Sequence, residues 1–303
     1  MNLYDLIIVG AGPAGITASV YAARKKMDFL VITKDIGGQT ALSWDIENYT
    51  GYQFITGPEL TDKFKEHLEK FKVDLREGET VTLLRKDKNL VEIESDKEKY
   101  AAKTVIIASG RIPRKLGVEG EDEFKNRGVT YCATCDGPLF ADMDVAVIGG
   151  GNSALEATLQ LIKITKKIFL IDIAPKLRAD PIMVDKAVNS DKVSVHSNSK
   201  VEKIYGENFV QGITISREGE IKDLSVEGVF IEIGSFPASN FAKGVGVNEY
   251  REITVNCRCQ TNIPGIFAAG DVTDVPAKQI IVACGEGAKA ALQAFEYLSK
   301  RKL

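Results

Sequence analysis

The chain has 303 residues, 44% hydrophobic and 27% charged, with a net charge of −3. That is long enough for two domains with real cores, its near-neutral charge offers no footprint for nucleic acid or an anionic membrane surface, and no apolar run approaches the ~20 residues that cross a bilayer. Its first residues lack the basic region, apolar core and cleavage site of a signal peptide, and five cysteines are too few for a disulfide framework. The expectation is a cytoplasmic chain without nucleic-acid or membrane partners, in which a Cys-x-x-Cys pair does redox or metal chemistry.

Leu3 to Val9 reads as a buried parallel strand. Gly10-Ala-Gly12-Pro13-Ala14-Gly15 follows at once and opens a helix to about Arg24. This is a dinucleotide fingerprint in its proper context. The first glycine permits the turn, the second admits a pyrophosphate to the backbone, and the third lets helix and strand pack closely. The second strand, Phe29 to Thr33, ends without the acid that usually binds a ribose; Asp35 comes two residues late. Gly37-Gly38-Gln39 offers flexible backbone and an amide suited to a flavin or phosphate edge. A helix is expected over Gly57 to Phe71, its stripe of Leu60, Phe64, Leu68 and Phe71 serving the core. A strand pair is expected over 79–84 and 90–95, and a buried strand over Thr104 to Ala108. Arg111-Ile-Pro-Arg-Lys reads as a hinge.

The stretch Val129-Thr-Tyr-Cys132-Ala-Thr-Cys135-Asp136-Gly-Pro138 comes next. The thiolate is the nucleophile in disulfide exchange, and a Cys-x-x-Cys at a helix N-terminus can have one thiol well below the free value of ~8.5. With no histidine nearby, Asp136 is the candidate for moving the proton, a role compatible with a cap or turn. A second fingerprint follows the strand Asp144 to Ile148: Gly149-Gly-Gly151-Asn152-Ser153-Ala154, with alanine in the third glycine place, then a helix to about Ile164. The strand Ile168 to Ile171 ends at Asp172, about 20 residues past the fingerprint, where a carboxylate would hold a ribose 2′-hydroxyl and repel a 2′-phosphate. NADH is therefore favoured; Lys176 and Arg178 keep NADPH open, and the alternative is a plain strand-end turn. Residues 193–195, 200–205, 209–216 and 221–233 have strand character, with a hairpin around Glu218-Gly219, and Gly234 to Ser239 is a second hinge.

A short strand is expected over Ile253 to Val255. Gly265-Ile-Phe-Ala-Ala-Gly-Asp271 is a strand running into Gly-Asp, where a carboxylate could accept hydrogen bonds from a flavin's ribityl chain or simply serve a turn. A long helical pattern starts at Pro276, with Gln279 near its beginning. These flavin-type features imply that the C-terminal segment completes the first domain and that the middle domain is an insertion. The rival chemistry for the cysteines is zinc, held by Cys132, Cys135, Cys257 and Cys259; the short Cys-x-Cys spacing argues against it, and the favoured reading has no metal and treats Cys257, Cys259 and Cys284 as small, partly buried residues.

The ordered set G-A-G-P-A-G (10–15), G-G-Q (37–39), C-A-T-C-D-G (132–137), G-G-G-N-S-A (149–154) and F-A-A-G-D-V (267–272) resembles the low-molecular-weight thioredoxin reductase family over essentially the whole chain. The resemblance implies an α/β fold of two Rossmann-like, three-layer dinucleotide-binding domains, the second inserted into the first. Residues 1–112 plus 241–303 would bind FAD, and 113–240 would bind NADH or NADPH and carry the cysteine pair. It implies a homodimer, a large rotation between domains, and a thioredoxin- or glutaredoxin-like protein as electron acceptor. By resemblance Cys135 is the cysteine next to the flavin, Cys132 attacks the partner disulfide and Asp136 is the acid–base group. The fingerprint residues, Gly38, Gln39, Asn48, Val81, Asp271, Lys278, Gln279 and Ile280 are the implied flavin contacts, and the second fingerprint with Asp172 and Arg178 the nicotinamide contacts. Two departures stand out. The family's His-Arg-Arg triplet is Asp172-Ile-Ala174 here, and Ala238 stands where asparagine is usual after the hinge proline. The run from Asp172 to Asp180 is more similar to the NADH-using flavoprotein component of alkyl hydroperoxide reductase. That relative has an extra N-terminal thioredoxin-like region not found in this sequence, which implies a separate acceptor protein. A flavin disulfide reductase fed by ferredoxin, and a non-enzymatic flavin or zinc redox sensor, are the alternatives.

Overall fold

A computed structural model describes residues 3–42, 45–46, 48–125, 127–131 and 133–301. Among these residues six α-helices form: α1 (Pro13–Arg24), α2 (Gly57–Lys70), α3 (Ala133–Asp136), α4 (Asn152–Leu161), α5 (Pro181–Val188) and α6 (Ile280–Arg301). The chain divides into two compact units, Met1–Ile112 with Phe236–Leu303, and Pro113–Ser235.

The first unit is built on a sheet ordered Asp74–Glu77, Phe29–Ile36, Leu3–Ala11, Lys99–Ile107, Leu90–Ser95, Val81–Asp87, with Ile266–Ala268 also paired to Lys99–Ile107. The central strands are parallel. The hairpin Val81–Asp87 and Leu90–Ser95 joins antiparallel. Successive residues of one strand feed two cores. Leu6, Ile8, Val31 and Ile106 face α1 and α6, burying with Ala18, Ala22, Ala290 and Ala294. Ile7, Val9, Leu30, Ile32 and Ile107 face the other way, against Leu84, Val91 and Ile93 of the hairpin and Tyr100 at the start of Lys99–Ile107. Both faces are covered, so the strands read as unbroken apolar runs rather than alternating ones.

The second unit repeats the plan. A five-stranded parallel sheet is ordered Val129–Thr130, Gly228–Ile231, Asp144–Ile148, Lys167–Ile171, Val193–His196. Val145, Val147, Ile168 and Leu170 pack on α4 and α5. Ala146, Ile148, Phe169 and Ile171 pack on an antiparallel layer of Lys200–Gly206, Val210–Arg217 and Glu220–Ser225. Each unit is thus a three-layer α/β body: helices, parallel sheet, antiparallel strands.

Several boundaries differ from the sequence expectation. Helix α6 starts at Ile280, not Pro276, because Lys278 and Gln279 are engaged by side-chain contacts to Glu252 and Asn48. Residues 253–255 form no strand; Ile253 makes only isolated bridges to Val247 and Thr273. Helix α5 was not expected. Its start is set by Asp180, whose carboxylate caps Ile182 N, and by Pro181 in the first turn, where a missing N–H costs nothing. No helix among the described residues is long and apolar enough to cross a membrane.

Candidate functional site

In each sheet the chain runs outward from the strand that precedes the fingerprint to one edge and then returns to that strand's other side. The reversal lies between Leu3–Ala11 and Lys99–Ile107 in the first unit, and between Asp144–Ile148 and Gly228–Ile231 in the second. Crevices beyond the carboxyl ends of strands at such switch points are where open α/β sheets take ligands. Both fingerprints sit there.

At the first turn, Gly10 has φ +102°, and a Cβ on it would fall 2.4 Å from the Ala108 carbonyl oxygen; a Cβ on Gly15 would fall 1.8 Å from the carbonyl oxygen of Gly10. Gly12 differs: an added Cβ would meet only the Gly37 carbonyl oxygen, at 4.0 Å. In the second turn a Cβ at Gly149 would fall 2.3 Å from the Glu232 carbonyl oxygen, while one at Gly151 would meet nothing within 4 Å. The outer positions are therefore packing residues, and the middle ones leave open backbone. Ala154 fits the third place of the second turn as a fully buried methyl.

The helices that follow share a second property. α2 is capped by a Thr56–Glu59 capping box and α5 by Asp180, but α1 and α4 begin at Gly12 and Gly151 with no side-chain cap. Their first N–H groups are left for an anion. Open glycine, uncapped helix and switch point together fit one dinucleotide pyrophosphate per unit. Pro13 opens α1 and Ala14 is buried behind it; Asn152 and Ser153 are exposed in the first turn of α4.

Of the remaining flavin candidates of the first unit, Gly38 lies beside the first turn. A Cβ on Gly38 would lie 3.5 Å from Gly12 Cα. Gln39 donates through Nε2 to the Arg111 carbonyl at 2.9 Å, and Asn48 donates through Nδ2 to Gln279 Oε1 at 3.0 Å. Val81 is buried where the hairpin begins, and Ile280 is the first residue of α6. Asp271 follows the Ile266–Ala268 strand; burial pushes its carboxyl above the usual range while Lys278 and Arg111 pull it back. Beside it lies Glu286, which no motif picks out. It is buried and accepts the Gly270 N–H at 2.8 Å, which fixes the Gly-Asp turn.

In the second unit Asp172 ends the Lys167–Ile171 strand, 5% exposed. Its Oδ2 is buried with no hydrogen-bond partner, an expensive arrangement unless a ligand supplies the donor. Gly150 backs it: a Cβ there would fall 2.0 Å from that oxygen. The fingerprint pattern passes over Gly150, although three consecutive glycines were the visible signal. Arg178 donates its N–H to the Gly150 carbonyl at 2.6 Å, and its exposed guanidinium lies 3.9 Å from Asp172 Oδ1. Asn152 Oδ1 accepts the Asp180 N–H at 2.9 Å. The loop from Asp172 to Asp180 is thereby laid over the glycine turn.

A second unselected carboxylate, Glu232, ends the Gly228–Ile231 strand across the switch point. Burial pushes it up to about 8, and the charge of Glu156 in α4 adds to the shift. An acid closing an apolar run beside Gly149 was the available clue.

Cys132 lies outside the described residues, and of Cys135 only the backbone is described, within α3. α3 is a single turn that passes directly into a 3-10 turn, Gly137–Phe140. The Thr130 hydroxyl donates to Asp136 Oδ2 across the cysteine loop. Tyr131 is held by its hydroxyl to Glu121 at 2.6 Å, and Glu121 also takes the N–H of Leu116 at 2.8 Å. The other cysteines differ among themselves: Cys259 and Cys284 are buried and Cys257 is exposed, all as free thiols. The 257–259 segment is a turn with Cys259 at φ +57°. Burial pushes the Cys259 thiol up to about 11.

The family model for pyridine nucleotide-disulphide oxidoreductases matches residues 4–287. One relative, an alkyl hydroperoxide reductase subunit, comes from Staphylococcus aureus (strain MSSA476) and is 40% identical over 299 residues, covering 97% of this chain and 59% of that protein. A Bacillus subtilis (strain 168) protein named NADH dehydrogenase is 41% identical over 97% of this chain and 58% of its own length. The chain thus spans about three fifths of these curated relatives. Thioredoxin reductase of Lactococcus lactis is 36% identical, with a TM-score of 0.89 over 98% of this chain and 99% of that one.

Two outcomes follow from this geometry. Gly150→Ala should drive its methyl into Asp172 and weaken adenine dinucleotide binding to the second unit about tenfold or more, with FAD content unchanged; a fluorescence titration with NADH checks it, and unchanged affinity would remove Asp172 from the site. Glu232 concerns pH. The fold holds its proton more tightly than the unfolded chain, whose carboxyl titrates near 4.5. Stability from this group is therefore full below that pH and drains away as pH rises towards 8. Glu232→Gln should be the more stable protein at pH 9, by ~2 kcal/mol at 1.4 kcal/mol per pKa unit discounted for partial exposure. The two should converge near pH 4.5; parallel melting curves at all pH values would disprove it.

Proposed function

The chain belongs to the pyridine nucleotide-disulphide oxidoreductase family, and from that membership we propose that it is a thioredoxin-disulfide reductase carrying electrons from NADH by way of FAD to the Cys132–Cys135 disulfide and on to a thioredoxin- or glutaredoxin-like protein. It is an FAD- and NAD(P)H-dependent oxidoreductase of the disulfide-reducing class; the NADH preference, the residue roles and the partner are proposed. What carries the reading is the pairing of two open-glycine, uncapped-helix sites with a Cys-x-x-Cys in the second unit.

FAD belongs to the first unit, with Gly12 and the start of α1 at its pyrophosphate and Gln39, Asn48, Val81, Asp271, Lys278, Gln279 and Ile280 around the rest; when bound it supplies the two-electron relay between nicotinamide and disulfide. The nicotinamide cofactor belongs to the second unit, on Gly149, Gly151, Asn152, Ser153 and Ala154. Asp172, with an unpartnered buried oxygen, accepts the adenosine ribose hydroxyls and repels a 2′-phosphate. Arg178 lies close to Asp172, which reduces its use as a phosphate ligand. One NADH and one proton convert one disulfide to two thiols. Cys132 then attacks the partner's disulfide and Cys135 resolves the mixed disulfide. Asp136, kept in place by Thr130, holds and returns the proton. A reduced dithiol persists in a reducing compartment, which supports the cytoplasm as its location. The resemblance also supports a homodimer.

Anaerobic mixing with NADH, NADPH or reduced ferredoxin tests the scheme by flavin bleaching. NADH should bleach the flavin with at least about tenfold the kcat/KM of NADPH, as expected for a carboxylate facing a 2′-phosphate. Cys135→Ser should still be bleached by NADH yet fail to reduce any member of a thioredoxin and glutaredoxin panel. Bleaching by ferredoxin alone would overturn the reading.

A further inference from the structure

Arg111 opens the crossing strand Arg111–Pro113. Its guanidinium and the Lys278 ammonium meet on one atom: each lies 3.1 Å from Glu252 Oε1. The other carboxylate oxygen, Oε2, accepts Asn248 Nδ2 at 2.9 Å, and the Glu252 N–H donates to Asn248 Oδ1 at 2.9 Å. Glu252 is thus aimed by a turn built for it. The three charged side chains are 15–26% exposed, so they are shielded from the solvent screening that makes surface pairs weak. Lys278 is pinned further by donation to the Thr273 carbonyl, and the Arg111 carbonyl accepts the Gln39 amide. Asp271 feels both cations. All of these residues lie in the first unit.

The charges decide the outcome. Lys278 and Arg111 pair with Glu252 and act through their field on Asp271, and Lys278 also acts on Glu286. A carboxylate closed into an ion pair has fewer lone pairs left for hydroxyl donors. With Glu252 present, both cations are occupied on it and Asp271 stays available. Without its charge, Lys278 and Arg111 weigh more heavily on Asp271, whose carboxyl already feels both of them.

We propose that Glu252 is a positioning residue for flavin binding: it keeps Lys278 and Arg111 off Asp271 and ties the first crossing strand to the segment that leads into α6. This rests on the assignment of FAD to the first unit and adds a residue that no motif contains.

The test is FAD titration of the apoprotein, read by quenching of flavin fluorescence, which needs no turnover. Glu252→Gln preserves size and can still accept from Asn248. It should weaken FAD about tenfold, as expected when one charge of a shielded ion network is removed. Adding Arg111→Met, which removes one of the two cations acting on Asp271, should recover at least about threefold of that loss. Arg111→Met alone should stay within about twofold of the wild type. A purely structural Glu252 predicts the opposite for the double variant, a further loss. Should Glu252→Gln fold poorly alone, R111M against R111M/E252Q repeats the comparison with Lys278 as the only freed cation, and about threefold weakening is expected. Equal FAD affinity with and without the Glu252 charge overturns the role of Glu252 while leaving the cofactor assignment intact. Failure of the wild-type apoprotein to take up FAD at all overturns the assignment and the inference together.

Discussion

Backbone-on-backbone contact at the two glycine turns governs the molecule. Gly15 lies against the carbonyl of Gly10, Gly10 against Ala108, and Gly149 against Glu232. No side chain can enter these places, so the start of each following helix is locked to the end of its strand at one distance and angle. That lock leaves Gly12 and Gly151 facing open space and prevents a side chain from capping α1 or α4. The same constraint that builds the core therefore creates the anion sites, and the two properties cannot be separated by mutation at Gly10, Gly15 or Gly149.

Around these sites the acids have different neighbours, and those neighbours set their chemistry. Asp172 is buried on Gly150 with one oxygen unsatisfied, a state that favours a ligand with hydroxyl donors. Asp271 sits in the field of two cations that Glu252 restrains. Asp136 is tied to Thr130, so the group next to the cysteines has a fixed origin on the sheet although α3 is too short to hold it. Glu232 has no cation among the causes of its shift and is driven towards the neutral form by burial.

Those neighbours also mark where the sequence was legible. The fingerprints, the parallel strands and the Gly-Asp turn were readable because each is a local pattern of apolar run followed by glycine. The start of α6 was not, since Lys278 and Gln279 are drawn out of helix by Glu252 and Asn48, 26 and 231 positions away. Neither was α5, a short helix whose Asp180-Pro181 start lay inside a run valued for its likeness to nicotinamide sites. Glu252, Glu286 and Gly150 escaped notice for one reason: each is defined by a partner distant in sequence. Gly150 matters only because Asp172 packs against it, and Glu252 only because Arg111 and Lys278 converge on it.

The insertion has a consequence for how the first unit is made. Its helical layer joins Ile16, Ala18 and Val20 of α1 to Ala283, Ala290, Ala291 and Ala294 of α6, and its sheet takes Ile266–Ala268 onto Lys99–Ile107. Seven of the twenty buried residues of that core come after the whole second unit in chain order, whereas Pro113–Ser235 is one continuous segment. Loop-closure entropy grows slowly with length, so a prefolded insertion that brings its two ends together lowers the cost of closing the first unit around it. The paired crossings Arg111–Pro113 and Ser235–Pro237 are that closure. Arg111 then belongs to both halves of the problem: it begins the crossing that joins the discontinuous core, and its charge is held on Glu252 while also acting on Asp271, the carboxylate proposed for the flavin.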